Sequence, residues 1–248
     1  MHISTVEFET DEALTLQPEY APMLDGEDDF VEAPDIQECS VEMWIEPNVP
    51  EQMGLYDGGN PSENDQAYRI YIYKPCGLSP RSDFDNTYGV SVVFLSNDIA
   101  IPFDVIQKGR HHIAVSWDGG DQVRVGIDGD FPSGHIWDED SWSETLPQPF
   151  TLPRTPQPDQ EEKTLIGQTK DSLWGKGSQY FNDTIREVRI WNKELSKEEM
   201  TANGNQPLSG DEPGLVGYWR FDKQYVEDTE EGKVVKDQSG QENDCQFN

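Results

Sequence analysis

The sequence is poor in cysteine, in positive charge and in long apolar runs. Its three cysteines are Cys39, Cys76 and Cys245. An odd number without C-x-x-C spacing argues against a disulfide framework and against a zinc site. Only 18 Lys and Arg stand against 49 Asp and Glu, a formal charge of −31. A field of that sign repels phosphate backbones and anionic lipid, so nucleic acid is not an expected partner. It attracts cations, calcium above all, because calcium prefers clustered oxygen ligands. Solubility or a salty habitat accounts for the acidity equally well. No run approaches the ~18 apolar residues that span a bilayer, so membrane insertion is not expected. The start, MHISTVEFETDE, has neither a basic n-region nor an apolar h-region. The expectation is therefore a soluble protein of a reducing compartment, cytoplasmic or exported by a leaderless route. No G-x-S-x-G, P-loop, H-E-x-x-H or Cys–His signature is present.

Aromatic and turn-forming residues are plentiful, with seven Trp, nine Tyr, ten Phe, 21 Gly and 17 Pro. That composition suits many short strands around a sizeable core better than long helices. Alternating segments occur at SVEMWIEP (40–47), AYRIYIYK (67–74), YGVSVVFL (88–95), HHIAVSW (111–117) and QVRVGID (122–128), followed by KTLIGQ (163–168). Period-two alternation is the mark of a half-buried strand. HHIAVSW and QVRVGID flank DGGD, where Asp118, Gly119 and Gly120 supply the positive-φ positions of a tight turn. The Pro-rich stretch 147–162 reads as loop or edge, since Pro cannot donate to a ladder. The pattern predicts an all-β fold, an antiparallel two-sheet jelly-roll sandwich.

FNDTIREVRIWNKELSKEEM (181–200) looks at first like an amphipathic helix. Its β-branched Thr184, Ile185, Val188 and Ile190 favour a pleated surface instead. Ser196 and Glu199 then form an S-x-x-E capping box, with Leu195 and Met200 at the spacing of a hydrophobic staple. The segment predicts a strand followed by one short helix near 196–203.

These landmarks resemble the LamG-like jelly rolls of the concanavalin A-like superfamily, which includes the pentraxins. EVRIWN followed by LSKEE is similar to that family's closing strand and helix, and LDGEDDFVEAP (24–34) to its F-D-G-x-D-D-Y-V opening. SVEMWIEP resembles its T-V-E-M-W-I strand, and GRHHIAVSWDGGDQVRVGIDGD its central hairpin. His112, Ser116 and Trp117 nearly reproduce the pentraxin H-x-C-x-S-W signature. Ala114 stands in place of the Cys and Met43 where its partner is expected, so the resemblance implies no disulfide. It implies a jelly-roll domain over 1–204. The tail, 205–248, resembles the L-V-G-Y-W-x-F-D stretch of such units and is expected to pack on the same sandwich, with GLVGYWRF as an added strand. The fold hosts lectins, adhesins, protein binders and enzymes, so activity has to be read from sites.

The pentraxin resemblance points to calcium ligands at Asn64, Asp65 and Asp171. Thr169 stands where that family's Glu would be, which implies one weaker ion rather than a two-calcium, phosphocholine-type site. A second acidic turn, DGEDD, offers Asp25, Asp28 and Asp29, with Asp237 or Asp244 of the tail as further donors. Solvated acidic turns are the alternative at both places. HIWDEDSW (135–142) sets Trp137 and Trp142 around Asp138 and Asp140 in a loop after the hairpin, and Trp174 is a similar platform. Rings stack on the apolar face of a sugar while carboxylates accept its hydroxyls. Trp44, Trp117, Trp191 and Trp219 lie on strands and are expected in the core. His111 and His112 alternate, one toward the core and one toward solvent, so they do not share a metal. Laminarinase-type glycosidases of this fold carry an E-x-D-x-x-E or E-x-D-x-E run. EFETDEA supplies only Glu9 and Asp11 of such a run. The expectation is a non-catalytic module that binds a carbohydrate, with calcium as its cation. A structural or protein-interaction role is the alternative, and a glycosidase-like enzyme comes last.

Overall fold

The computed structural model describes residues 23–36, 39–47, 53–58, 68–73, 88–94, 97–103, 109–138, 141–154, 163–171, 177–230 and 232–248. In chain order come β1 (Met23–Asp25), β2 (Val31–Ala33), β3 (Ser40–Pro47), β4 (Met53–Gly58) and β5 (Tyr68–Tyr73). Next are β6 (Gly89–Phe94), β7 (Asn97–Pro102), β8 (His111–Trp117), β9 (Gln122–Ile127) and β10 (His135–Asp138). β11 (Ser141–Trp142), β12 (Phe150–Thr151), β13 (Thr164–Ile166), β14 (Gln168–Asp171), β15 (Gly177–Tyr180) and β16 (Asn182–Trp191) lead to helix α1 (Lys197–Gly204). The chain closes with β17 (Leu215–Arg220), β18 (Val226–Thr229), β19 (Gly232–Val235) and β20 (Cys245–Phe247).

Two antiparallel sheets form the sandwich. The first runs β1-β16-β3-β8-β9-β12, with β17 also on β16. β1 and β17 share one edge of β16, along 182–184 and 187–191 respectively. The second runs β11-β10-β7-β6-β5-β4-β13-β2-β20-β19-β18, and β14 and β15 form a separate hairpin. Alternation decides which side chains enter the core. On β3, Val41, Met43 and Ile45 point inward, and on β8 so do Ile113, Val115 and Trp117. On β5 the inward set is Tyr68, Ile70 and Ile72. A one-residue slip in any of these strands would turn its apolar set outward, so burial sets the register.

The β8–β9 hairpin closes at 118–121, but only Gly119 takes a positive φ there, +79°. Asp118 does the remaining work, its Oδ1 accepting the amides of Gly120 at 2.8 Å and Gln122 at 3.0 Å. The same registers correct one expectation. Glu42, not Met43, lies opposite Ala114, so Met43 and Ala114 are on opposite faces of the sheet.

The long segment 182–191 is a strand, with a bulge near Arg186. Its inward residues Val188 and Ile190 are fully buried. Helix α1 starts at the reciprocal cap, Ser196 Oγ accepting the Glu199 amide and Glu199 Oε2 accepting the Ser196 amide. Leu195 and Met200 pack with Trp191, Leu215 and Tyr218, which pins the helix to the outer face of the first sheet.

That cover overturns the expectation for the histidines. His111 and His112 do project to opposite sides, yet both are buried. His111 Nδ1 meets Asp128 Oδ2 at 2.8 Å. His112 stacks on Trp44, ring centroids 4.3 Å apart, under Gly204 of α1. A Cβ at Gly204 would come within 2.6 Å of His112 Nδ1, so the helix can approach this closely only with glycine there.

Candidate functional site

The aromatic pair predicted in a loop stands on strands instead. Trp137 of β10 and Trp142 of β11 are directly opposed in an antiparallel ladder at the end of the second sheet. Directly opposed side chains on one face are close enough for large rings to touch. The ring centroids lie 5.4 Å apart at 58°, and both rings are half-buried. Trp142 rests on Tyr73 and Ala100, which fixes the back of the platform. His135 lies on the same face as Trp137, and its Nδ1 donates to the Ser143 carbonyl at 3.0 Å. The Ser143 hydroxyl accepts the Ile136 amide at 3.0 Å, so the ladder is held beyond its two register pairs. Glu144 is exposed beside it. Of the other predicted site residues, Asp140 and Trp174 lie outside the described residues, as does the side chain of Asp138.

The acidic turn follows β1. Asp25 Oδ1 accepts the amides of Glu27 at 2.8 Å and Asp28 at 3.3 Å, while Asp29 Oδ2 accepts the Asp25 amide at 3.2 Å. These amide bonds hold the Asp25 carboxyl below its ordinary pKa. Gly26 takes φ +79°, and a Cβ there would meet Asn182 at 2.7 Å. One carboxylate oxygen from each of Asp25, Asp28 and Asp29 lies within 4.8 Å of the others. Ligands on opposite sides of a calcium ion at 2.3–2.6 Å are about 4.6–5.2 Å apart, so the span fits that ion. Each carboxylate keeps lone pairs that its amide bonds do not use.

Asp237 and Asp244 are committed elsewhere. Asp237 accepts the amides of Tyr218, Ser239 and Asn243, and Asp244 accepts the Asp237 amide and Lys236 Nζ. Asn64 and Asp65 lie outside the described residues. Asp171 ends β14 opposite Gly177, its side chain also outside them.

A buried polar cluster escaped sequence reasoning. Glu42 Oε2 accepts Trp191 Nε1 at 2.9 Å and Asn203 Nδ2 at 3.1 Å, and its Oε1 lies 3.4 Å from His112 Nε2. Arg189 lies 4.2 Å over the Trp44 ring and bonds Glu187. Burial raises the Glu187 pKa, and Arg189 opposes that shift. A cavity of about 210 Å³ opens beside this cluster, lined by Trp44, Arg110, His112, Asp128 and the end of α1. The sequence signal was the charge at Glu42, Glu187 and Arg189, outward positions of S-V-E-M-W and E-V-R-I-W, which reads as solvated until a helix covers it.

The outward face of the second sheet carries carboxylates of its own. Glu32, Leu165, Asp57, Arg69, Val93 and Asp98 follow one another across its strands. Asp57 is held by Arg69 Nε, 3.0 Å from both of its oxygens. Asp57 and Asp98 are three strands apart, about 14 Å at the usual strand spacing. That is wider than retaining or inverting carboxylate pairs.

The laminin G family model described as "Concanavalin A-like lectin/glucanases superfamily" matches residues 25–201. No curated protein matches the chain in sequence. Among solved structures, a candidate carbohydrate-binding protein from Bacteroides ovatus ATCC 8483 is similar at 14% identity and TM-score 0.59. That match covers 92% of this chain and 58% of the other, so the chain spans less than two thirds of its relative. The CBM40 of the Ruminococcus gnavus IT-sialidase is similar at 13% identity and TM-score 0.50, covering 75% of this chain and 97% of that one. A heptameric SAP-like pentraxin from Limulus polyphemus is similar at 13% identity and TM-score 0.48, over 76% and 83%. At these identities the structural likeness is one of fold. Matched by the family model over more than half its length and built as two packed antiparallel sheets, the protein belongs to the concanavalin A-like lectin/glucanase superfamily.

Proposed function

We propose that the chain is a non-catalytic binding module that recognises a glycan at the end of its second sheet. The opposed rings of Trp137 and Trp142 carry this reading. Two half-exposed indoles on a braced ladder offer an apolar surface for the C–H face of a sugar ring. The acids of the same stretch, Asp138, Asp140 and Glu144, are the proposed hydroxyl acceptors, and Trp174 is a further proposed platform. The Bacteroides relative is described as a candidate carbohydrate binder and the Ruminococcus relative as a carbohydrate-binding module, in keeping with this use of the fold.

Calcium is the proposed cation. Asp25, Asp28 and Asp29 would hold it in the turn after β1, and Asn64, Asp65 and Asp171 are the second proposed set. Its part would be to order loops around the sandwich rather than to supply chemistry.

A glycan array run with calcium and again with chelator tests both parts. Binding that Trp137→Ala or Trp142→Ala abolishes, in a protein with unchanged circular dichroism, supports the platform. Loss with chelator supports the ion. Failure to bind any glycan, together with a stable protein complex in pull-down, would move the chain to a protein-interaction role.

A further inference from the structure

A cavity of about 210 Å³ lies where the end of α1 meets the first sheet, while the tryptophan ladder stands on the second. Its lining includes Trp44, Arg110, His112, Asp128, Gly204 and Asn205. Arg124, Arg186, Arg189 and Arg220 each pair with a carboxylate. Arg110 is exposed and, among the described residues, its guanidinium has no hydrogen-bond or ion-pair partner. Glu46, an acid close enough to feel its charge, is bonded by Arg186 instead. In a chain with 49 acids and 18 bases, this leaves a fork of N–H donors beside the cavity for a ligand.

Other parts of the wall offer acceptors. His112 is 6% exposed, and its Nε2 lies 3.4 Å from Glu42 Oε1. A lone pair on Nε2 would oppose the lone pairs of that carboxylate, so the contact assigns the ring proton to Nε2. Nδ1 keeps the lone pair, and among the described residues no donor reaches it. That edge of the ring faces Gly204, where a Cβ would lie 2.6 Å from Nδ1, so the missing side chain leaves it open. The Asp128 carboxylate is fixed by the His112 amide at 3.0 Å and His111 Nδ1 at 2.8 Å, and its side chain stays partly exposed.

We propose that this cavity binds a small zwitterion, an α-amino acid, with its carboxylate on Arg110 and its ammonium toward His112 Nδ1 and Asp128. A carboxylate matches the guanidinium fork with two parallel hydrogen bonds. An ammonium donates and does not accept, which suits an imidazole lone pair and a carboxylate. The overall charge of −31 disfavours a bare anion, whereas a zwitterion carries no net charge for that field to repel. The volume is below the ~300–1,000 Å³ of sites for drug-sized ligands, so the ligand is small.

NMR titration of the isotope-labelled full chain provides the test. The probes are glycine, L-alanine and L-serine, then propionate and ethylamine, which each keep one charged end of alanine. The amino acids should give saturable shifts at the Gly129 and Gly204 amides and at the His112 ring nitrogens. Propionate and ethylamine should bind at least about tenfold more weakly, since each lacks one charge-assisted contact. Arg110→Gln should weaken alanine binding by about tenfold with an unchanged Tm, because Arg110 bonds nothing in the fold. Absence of saturable shifts with all three amino acids overturns the proposal. Propionate or ethylamine binding as tightly as alanine does so too, as does unchanged alanine binding in Arg110→Gln.

Discussion

Arg189 of β16 reaches across the sheet face to the carboxyl end of α1, its Nη1 donating to the Asn203 carbonyl at 3.0 Å. Its Nη2 donates to the Gln206 carbonyl at the same distance. The last carbonyls of a helix lack partners within it, and α1 has no basic residue in its last turn. A side chain from the sheet supplies the donors instead. The same guanidinium lies over Trp44 and within 4.0 Å of Glu42, whose side chain is fully buried.

Replacing Arg189 by Met should therefore destabilise the fold by about 3–5 kcal/mol, because Glu187 loses the guanidinium bonded to it and buried Glu42 loses the same charge 4.0 Å away. Urea unfolding monitored by tryptophan fluorescence measures the loss. The double variant with Glu42→Gln should recover part of it, since the uncompensated charge is then gone.

The cap of α1 is a smaller effect. Ser196→Ala removes the acceptor of the Glu199 amide and should cost about 1 kcal/mol. Thermal unfolding should show a modest decrease in Tm with an unchanged far-ultraviolet spectrum.

Glu46 and Arg186 form a bidentate pair, Nε to Oε1 at 2.6 Å and Nη2 to Oε2 at 2.8 Å. The hydrogen bond from Arg186 holds the Glu46 carboxyl below its ordinary pKa. A carboxylate with a depressed folded pKa adds stability above its unfolded pKa and loses it as pH falls through the folded value. Glu46→Gln should therefore be less stable than the parent at pH 7, by about 1 kcal/mol given the partial exposure of the pair. The difference should close as pH falls from about 4.3, the ordinary Glu pKa, to below the depressed value. A Tm series across that range decides it.

The tail contributes strands to both sheets. β17 pairs with β16, and β20 lies between β2 and β19. Trp219 is fully buried, with its indole N–H donating to the Asn243 carbonyl at 2.8 Å. Trp219→Ala should cost about 3–5 kcal/mol. Deleting residues 245–248 should be worse than their few contacts suggest, because β2 and β19 would both lose a ladder partner. Hydrogen exchange should then show lost protection at the β2 amides that face β20, while those paired with β13 stay protected.

Much of this was legible in the chain. SVEMWIEP and HHIAVSW are strands at their predicted bounds, and Ser196 caps a helix, because period-two alternation and capping depend on residues a few positions apart. The tryptophan loop was misread because 135–142 is too short for alternation to stand out. Only the β7 edge turns it into a ladder.

The sequence by itself therefore determined the all-β class, the main strands and the short helix, since each follows from local pattern. It could not say which outward faces stay wet. Glu42, His112 and Arg189 occupy positions that a lone strand would present to water, and they are dry because α1 covers them. Trp137 and Trp142 share a face because β10 and β11 pair in register. Burial and cross-strand pairing join residues distant in the chain, and tertiary structure alone decides them.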